Sequence, residues 1–161
     1  VIVCNKPGAG VLKMEKKAGI DTLMVKKASF NDTDTYIKEL KTRNIDWLIL
    51  AGFLWKIPDA FVKEWKKTII NIHPALLPGY GGKGMYGSRV HEAIIKAGEK
   101  ESGITIHYVD EIYDNGEIIF QAACPIGESE NADTLAQKIH ELEHAHFPVI
   151  IEQEIKKQKG S

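Results

Sequence analysis

The chain has 161 residues, and 21 Lys and Arg against 22 Asp and Glu leave a net charge near −1, which argues against nucleic acid as a partner. Its 43% hydrophobic and 27% charged residues are those of a soluble globular protein, and no apolar run approaches the ~20 residues that span a bilayer. This length predicts one domain with one core. With no secretory signal in view, the cytoplasm is the expected compartment.

Residues 1–4 read as a strand, so the sequence opens inside an element. A turn at 5–10 leads to a short helix at 11–17, which Gly19 is placed to stop. A second strand is expected at 22–25. A helix capped by Asn31 or Asp32 then runs to about 43 with Tyr36, Ile37 and Leu40 inward. The run 47–52 is continuous and apolar, as for a strand covered on both faces. Pro58 suits the first turn of a helix at 59–65. Cys4 and Cys124 sit in strand-like runs without metal spacing, as free buried thiols of a reducing compartment do.

The stretch Asn71-Ile72-His73-Pro74-Ala75-Leu76-Leu77-Pro78 follows the apolar run Thr68-Ile69-Ile70, a short buried strand. If the chain stays extended, Asn71 and His73 point the same way, because strand side chains alternate. Pro74 and Pro78 cannot donate to a ladder and force the strand to end. Residues 79–87, with five glycines in nine, form a loop without the G-K-[ST] ending of a phosphate loop. Ser88 is a credible N-cap for a helix to 96. Strands at 104–109 and 117–124 read as antiparallel neighbours around the turn signal Asp114-Asn115-Gly116. A last helix starts near Asn131 and runs to about 157, with 156–161 as a solvated tail. Strands alternating with helices, then a late β-pair, predict an α/β, Rossmann-like, doubly wound and mostly parallel sheet with an antiparallel edge pair.

Asn71 and His73 together suit acyl transfer. When an amine attacks a carbonyl, charge develops on oxygen, and an amide N–H and an imidazolium both donate to it. A histidine also moves the proton that the amine must lose. A carboxylate at Asp114 would fix the tautomer of a nearby imidazole and favour its protonated form. The plain alternatives are a structural strand-end histidine and an ordinary hairpin turn. Thr105 and His107 share one strand face and either line the same cleft or pack. His140-Glu141-Leu142-Glu143-His144 matches the zinc pattern H-E-x-x-H, but no third ligand follows and the α/β pattern does not suit that mechanism, so no metal is expected.

Taken together, Leu50-Ala51-Gly52-Phe53-Leu54, the 71–78 stretch, Gly82-Lys83-Gly84-Met85-Tyr86-Gly87, Val90-His91-Glu92-Ala93, the 103–109 strand, Asp114-Asn115-Gly116 and Glu143-His144 resemble the phosphoribosylglycinamide formyltransferases of the formyltransferase superfamily. The resemblance covers essentially the whole chain in order. It implies transfer of a formyl group from 10-formyltetrahydrofolate to the amine of glycinamide ribonucleotide, by a monomer or homodimer without metal, nucleic acid or membrane. Asn71, His73 and Asp114 match the catalytic trio. Leu54, Trp55, Lys56 and Ile57, with Asn71, Asp110 and Glu111, match the walls of the folate pocket. His140, Glu143 and Pro74 fall where the family contacts the ribonucleotide. The resemblance also implies that Val1 corresponds to the family's second strand, so the first strand, its Gly-Ser-Gly type phosphate loop and its helix have no counterpart in the sequence. Trp55 stands where many relatives carry a basic residue. The rival readings are a formyltetrahydrofolate hydrolase, a methionyl-tRNA formyltransferase and a non-catalytic folate- or nucleotide-binding module.

Overall fold

The computed structural model describes residues 1–160, apart from the side chains of residues 14–16; the last residue of the expected tail lies outside the described residues. The chain divides into two compact units, Val1–Asn44 and Ile45 onward.

In the first unit, β1 (Ile2–Cys4) and β2 (Thr22–Met24) pair in parallel, with Cys4 opposite Met24. They alternate with α1 (Val11–Ala18) and α2 (Thr33–Thr42), as the sequence predicts. Cys4, Val25, Phe30 and Leu40 are its buried apolar residues. Arg43 closes the end of α2 by pairing with Glu39 and Asp21.

The second unit carries a four-stranded sheet in the order β3-β4-β5-β6. Its strands are β3 (Leu48–Leu50), β4 (Ile69–His73), β5 (Glu101–Tyr108) and β6 (Ile118–Pro125). β3 and β4 are parallel, whereas β4–β5 and β5–β6 are antiparallel. The apolar run around β3 reads as a strand covered on both faces, yet β3 is an edge of this sheet and Ile49 is 37% exposed. Helices α3 (Asp59–Glu64) and α4 (Ser88–Ala97) connect strands, and α5 (Ala132–Lys159) packs on α4, β5 and β6. The core lies between these layers, built on Ile70, Ile72, Ile104, Ile106, Val90, Ile94, Leu135 and Ile139.

The ends of the helices follow local chemistry. Asn131 caps α5 with a reciprocal capping box through Thr134. Ser88 is not the cap of α4: Gly87 is, at φ 57 and ψ −138. A side chain rarely takes that backbone conformation, so glycine holds the cap and the helix starts at Ser88, one residue earlier than a cap at that hydroxyl would give. Among the described residues, no helix is long and apolar enough to cross a membrane.

Candidate active site

β4 stays extended through His73, so Asn71 and His73 do share one strand face. The antiparallel register with β5 sets His107 directly opposite Asn71 and Thr105 directly opposite His73. Four polar side chains are thus fixed by two strands before any loop contributes.

Each of the four finds a partner. Asn71 Nδ2 lies 3.1 Å from His107 Nε2, and His107 Nδ1 lies 2.8 Å from the Tyr108 carbonyl. His73, 3% exposed, holds the Tyr80 carbonyl with Nε2 at 2.8 Å. The fully buried Thr105 hydroxyl donates to Ala75 O at 2.7 Å and accepts from the Leu77 N–H at 2.9 Å. Gln121 reinforces that knot by donating to Thr105 Oγ1 and Leu77 O, so the loop after His73 is tied to β5 and β6.

The turn after β5 brings in the carboxylate. Asp114 has φ 53, a left-handed conformation that Asp adopts more readily than most residues. Gly116 approaches Tyr108 so closely that a Cβ would stand 1.8 Å from its carbonyl oxygen, which leaves glycine alone able to close the turn. The Asp110 carboxylate braces the turn from within, accepting from the Ile112 N–H and the Asn115 side chain. Asp114 Oδ2 accepts the Gly82 N–H at 2.8 Å and lies 3.6 Å from His73 Nδ1, while Oδ1 lies 3.7 Å from His107 Nε2. The carboxylate therefore stands between two imidazoles, in ion-pair range of both.

Because a carbonyl only accepts, His73 Nε2 must carry a proton. Its other nitrogen then faces the carboxylate. At 3.6 Å that carboxylate is in ion-pair range of Nδ1 but beyond a direct hydrogen bond. His107 is different: burial holds its pKa below the ordinary histidine value, against the upward pull of the Tyr108 carbonyl and Asp114.

Next to these groups opens a cleft of about 440 Å³, including its mouth. Trp55, Lys56 and Ile57 form one wall, and Val109, Asp110, Ile112 and Tyr113 the other, with Leu50 and Phe53 beside them. Asn71, His107 and Asp114 line it, whereas the buried His73 does not. Phe53 and Trp55 meet edge to face, their ring centroids 5.7 Å apart. Lys56 pairs with Asp59 at 2.9 Å.

Of the residues expected in the folate pocket, Trp55, Lys56, Ile57, Asn71 and Asp110 line this cleft, whereas the half-exposed Leu54 and the exposed Glu111 do not. Of those expected at the ribonucleotide, Pro74 is half-buried in the loop after β4, and His140 and Glu143 lie on α5 and do not line the cleft. His140 faces the buried His91 of α4, whose Nδ1 has no hydrogen-bond partner among the described residues. Burial pushes the Glu143 carboxyl above its usual range, opposed by His140 and His144. Among the described residues no group of three His, Cys, Asp or Glu is arranged to hold a metal ion. Sequence reasoning missed Tyr80 O and Gly82 N–H because backbone groups leave no trace in residue type. His91 enters the resemblance without a role, because one histidine on an amphipathic helix carries no signal of its surroundings.

Similarity to known proteins agrees with this geometry. Residues 1–151 match the family described as formyl transferase. The trifunctional purine biosynthetic protein adenosine-3 of Drosophila melanogaster is 41% identical over 152 residues, 92% of this chain but 11% of that protein. The chloroplastic phosphoribosylglycinamide formyltransferase of Arabidopsis thaliana is 36% identical, with 94% of this chain and 53% of that protein covered. The Bacillus subtilis phosphoribosylglycinamide formyltransferase is 35% identical, with 95% and 78% covered. The chain thus spans about a tenth of the trifunctional relatives and about half of the chloroplastic ones. A crystal structure of the Bacillus halodurans phosphoribosylglycinamide formyltransferase superposes with TM-score 0.86 at 32% identity, covering 97% of this chain and 80% of that one. The family match takes in both compact units and all but the last ten residues: the chain belongs to the formyl transferase family.

Proposed function

We propose that the protein moves a formyl group from 10-formyltetrahydrofolate to the amine of glycinamide ribonucleotide, a step of purine biosynthesis. The observation that carries this reading is the convergence of Asn71, His73, His107 and Asp114 at one end of a cleft with aromatic and aliphatic walls. Such walls suit a flat heterocycle, and the Asp110 carboxylate among them suits its N–H groups. The names of the relatives point to formyl transfer and to the same acceptor, but do not name the donor. The unpaired thiols of Cys4 and Cys124 fit a reducing compartment such as the cytoplasm.

In this reading the ribonucleotide amine attacks the formyl carbon and a new C–N bond forms. The formyl oxygen gathers negative charge, which an Asn71 N–H stabilises by donating to it. His73, placed between the Tyr80 carbonyl and Asp114, holds positive charge behind the reacting carbon. Asp114 keeps that imidazolium in place and orders water that carries the proton from the attacking amine to the departing folate nitrogen. The C–N bond to the folate then breaks, and the balance is one formyl group and one proton exchanged between two amines. His140 and Glu143 on α5 are assigned to the ribonucleotide.

The test is formyl transfer itself, followed by appearance of the deformylated folate with glycinamide ribonucleotide as acceptor. Turnover that requires the ribonucleotide supports the proposal. Release of formate at the same rate without it would make the protein a hydrolase, and folate binding without either reaction would make it a binding module.

A further inference from the structure

An amide side chain has two faces, and only the N–H face of Asn71 can meet a developing oxyanion. What decides which face the cleft sees is the neighbour across the strand pair. His107 is 2% exposed and lies directly opposite Asn71 in the register of β4 and β5. Its Nδ1 is 2.8 Å from the Tyr108 carbonyl oxygen, which can only accept, so Nδ1 carries the ring proton. That carbonyl lies in a closely packed turn, with the Tyr108 N–H bound to Glu117 O at 2.9 Å and no room for a Cβ on Gly116 beside the oxygen. In the neutral ring, Nε2 is then a bare lone pair, 3.1 Å from the Asn71 amide. A lone pair takes a donor, so the amide must turn its NH₂ group toward His107.

The charged and titratable groups that face His107 are Asp114, Asp110 and His73. Asp114 would favour a proton on Nε2, but its oxygen is 3.7 Å away, beyond hydrogen-bond range. The direct contact to the carbonyl prevails. We infer that His107 is a positioning residue which, through the chain Tyr108 O, His107 Nδ1–H, His107 Nε2, Asn71 Nδ2–H, locks the Asn71 amide so that its second N–H is presented to the reacting formyl oxygen. The inference rests on the formyl-transfer reading above. Without His107 the amide is free to rotate and offer its own oxygen to the developing charge, which repels it.

Two measurements test this. In the intact protein labelled with ¹⁵N, His107 is expected to show a protonated Nδ1 and an unprotonated Nε2 at neutral pH. A scalar coupling across the hydrogen bond between Asn71 Nδ2 and His107 Nε2 is expected with it. A proton on Nε2 or absence of the coupling overturns the inference, and neither readout depends on turnover. In the transfer assay, His107→Leu should lower kcat about 10²–10³-fold, as loss of one oxyanion donor does, with KM for the folate nearly unchanged. His107→Gln, whose side-chain oxygen can accept from Asn71, should return kcat to within about tenfold of the wild type, and the Asn71→Ala, His107→Leu double variant should be no slower than Asn71→Ala. Additive losses, or equal losses in His107→Gln and His107→Leu, would refute the positioning role. If the wild type transfers no formyl group, the proposed function falls, and the ¹⁵N measurements alone decide the amide lock.

Discussion

Thr105→Val isolates the contribution of a single hydroxyl to the site. Valine has nearly the shape of threonine, so no cavity opens in a position that is fully buried. What changes is the hydrogen bonding. Thr105 Oγ1 donates to Ala75 O and accepts from the Leu77 N–H, and neither backbone group has another hydrogen-bond partner among the described residues. Gln121 also loses its 2.8 Å bond to the hydroxyl, but keeps Leu77 O at 3.0 Å. Each orphaned buried group costs about 1–3 kcal/mol, and partial access of water relieves some of that, so about 2–4 kcal/mol is expected for the pair. With a urea dependence of about 1–3 kcal/mol per molar, the unfolding midpoint should fall by about 1–2 M. Thr105→Ser keeps all three bonds and loses one methyl group, about 1 kcal/mol. Urea unfolding of the three proteins, followed by circular dichroism, measures the difference. If Thr105→Val unfolds within about 0.5 kcal/mol of the wild type, the hydroxyl does not hold the loop after His73, and the account of how that loop is tied down is wrong.

Asp114→Asn should fold as the wild type does, because its side-chain oxygen can still accept the Gly82 N–H, yet lower kcat about 10²–10⁴-fold through loss of the charge beside His73; near-normal turnover would remove Asp114 from the mechanism. His91 and His107 both have folded pKa values below the ordinary value through burial, so below about pH 6.5 the unfolded chain binds protons that the folded one declines. Their contribution to stability is therefore complete above that pH and lost as pH falls, with a slope approaching about 1.4 kcal/mol per pH unit for each histidine. Urea midpoints between pH 7.5 and 5.5 measure it, and a His91→Gln variant should show the shallower slope; an unchanged slope would show that burial does not lower the folded pKa of His91. Glu143 is the opposite case: burial raises its folded pKa, so stability gained from protonation below the unfolded value of about 4.3 is lost as pH rises through the folded value. Glu143→Gln should thus match or exceed the wild-type melting temperature at neutral pH while raising KM for the ribonucleotide about tenfold or more. A lower melting temperature together with an unchanged KM would make the residue structural.

How much of this was legible in the residues divides along the line between local and non-local physics. β4 was readable because an apolar run ends in two prolines, and period-two alternation then fixes Asn71 and His73 on one face. The Asn131 cap was readable because its side chain acts on its own first turn. The cap of α4 was misread because Gly87 is selected by a positive φ, which no side-chain chemistry announces. The exposure of Ile49 was misread because an apolar run reports an expected environment, whereas the edge position of β3 follows from strand order.

The site shows the same division more sharply. The turn at Asp114 could be recognised from Asp-Asn-Gly, but its reach to His73 depends on the register of three strands and on one left-handed residue. His107 was placed on the correct strand face while its role stayed open between lining and packing. The register closes that question by setting it opposite Asn71, and the Tyr108 carbonyl closes the next one by choosing its tautomer. In the inferred lock, whether Asn71 can serve an oxyanion is decided two hydrogen bonds away, by a backbone oxygen that any residue at position 108 would supply. A substitution there that keeps the strand should leave the amide lock intact, whereas one that displaces the carbonyl, such as Gly116→Ala, should release Asn71 without touching it.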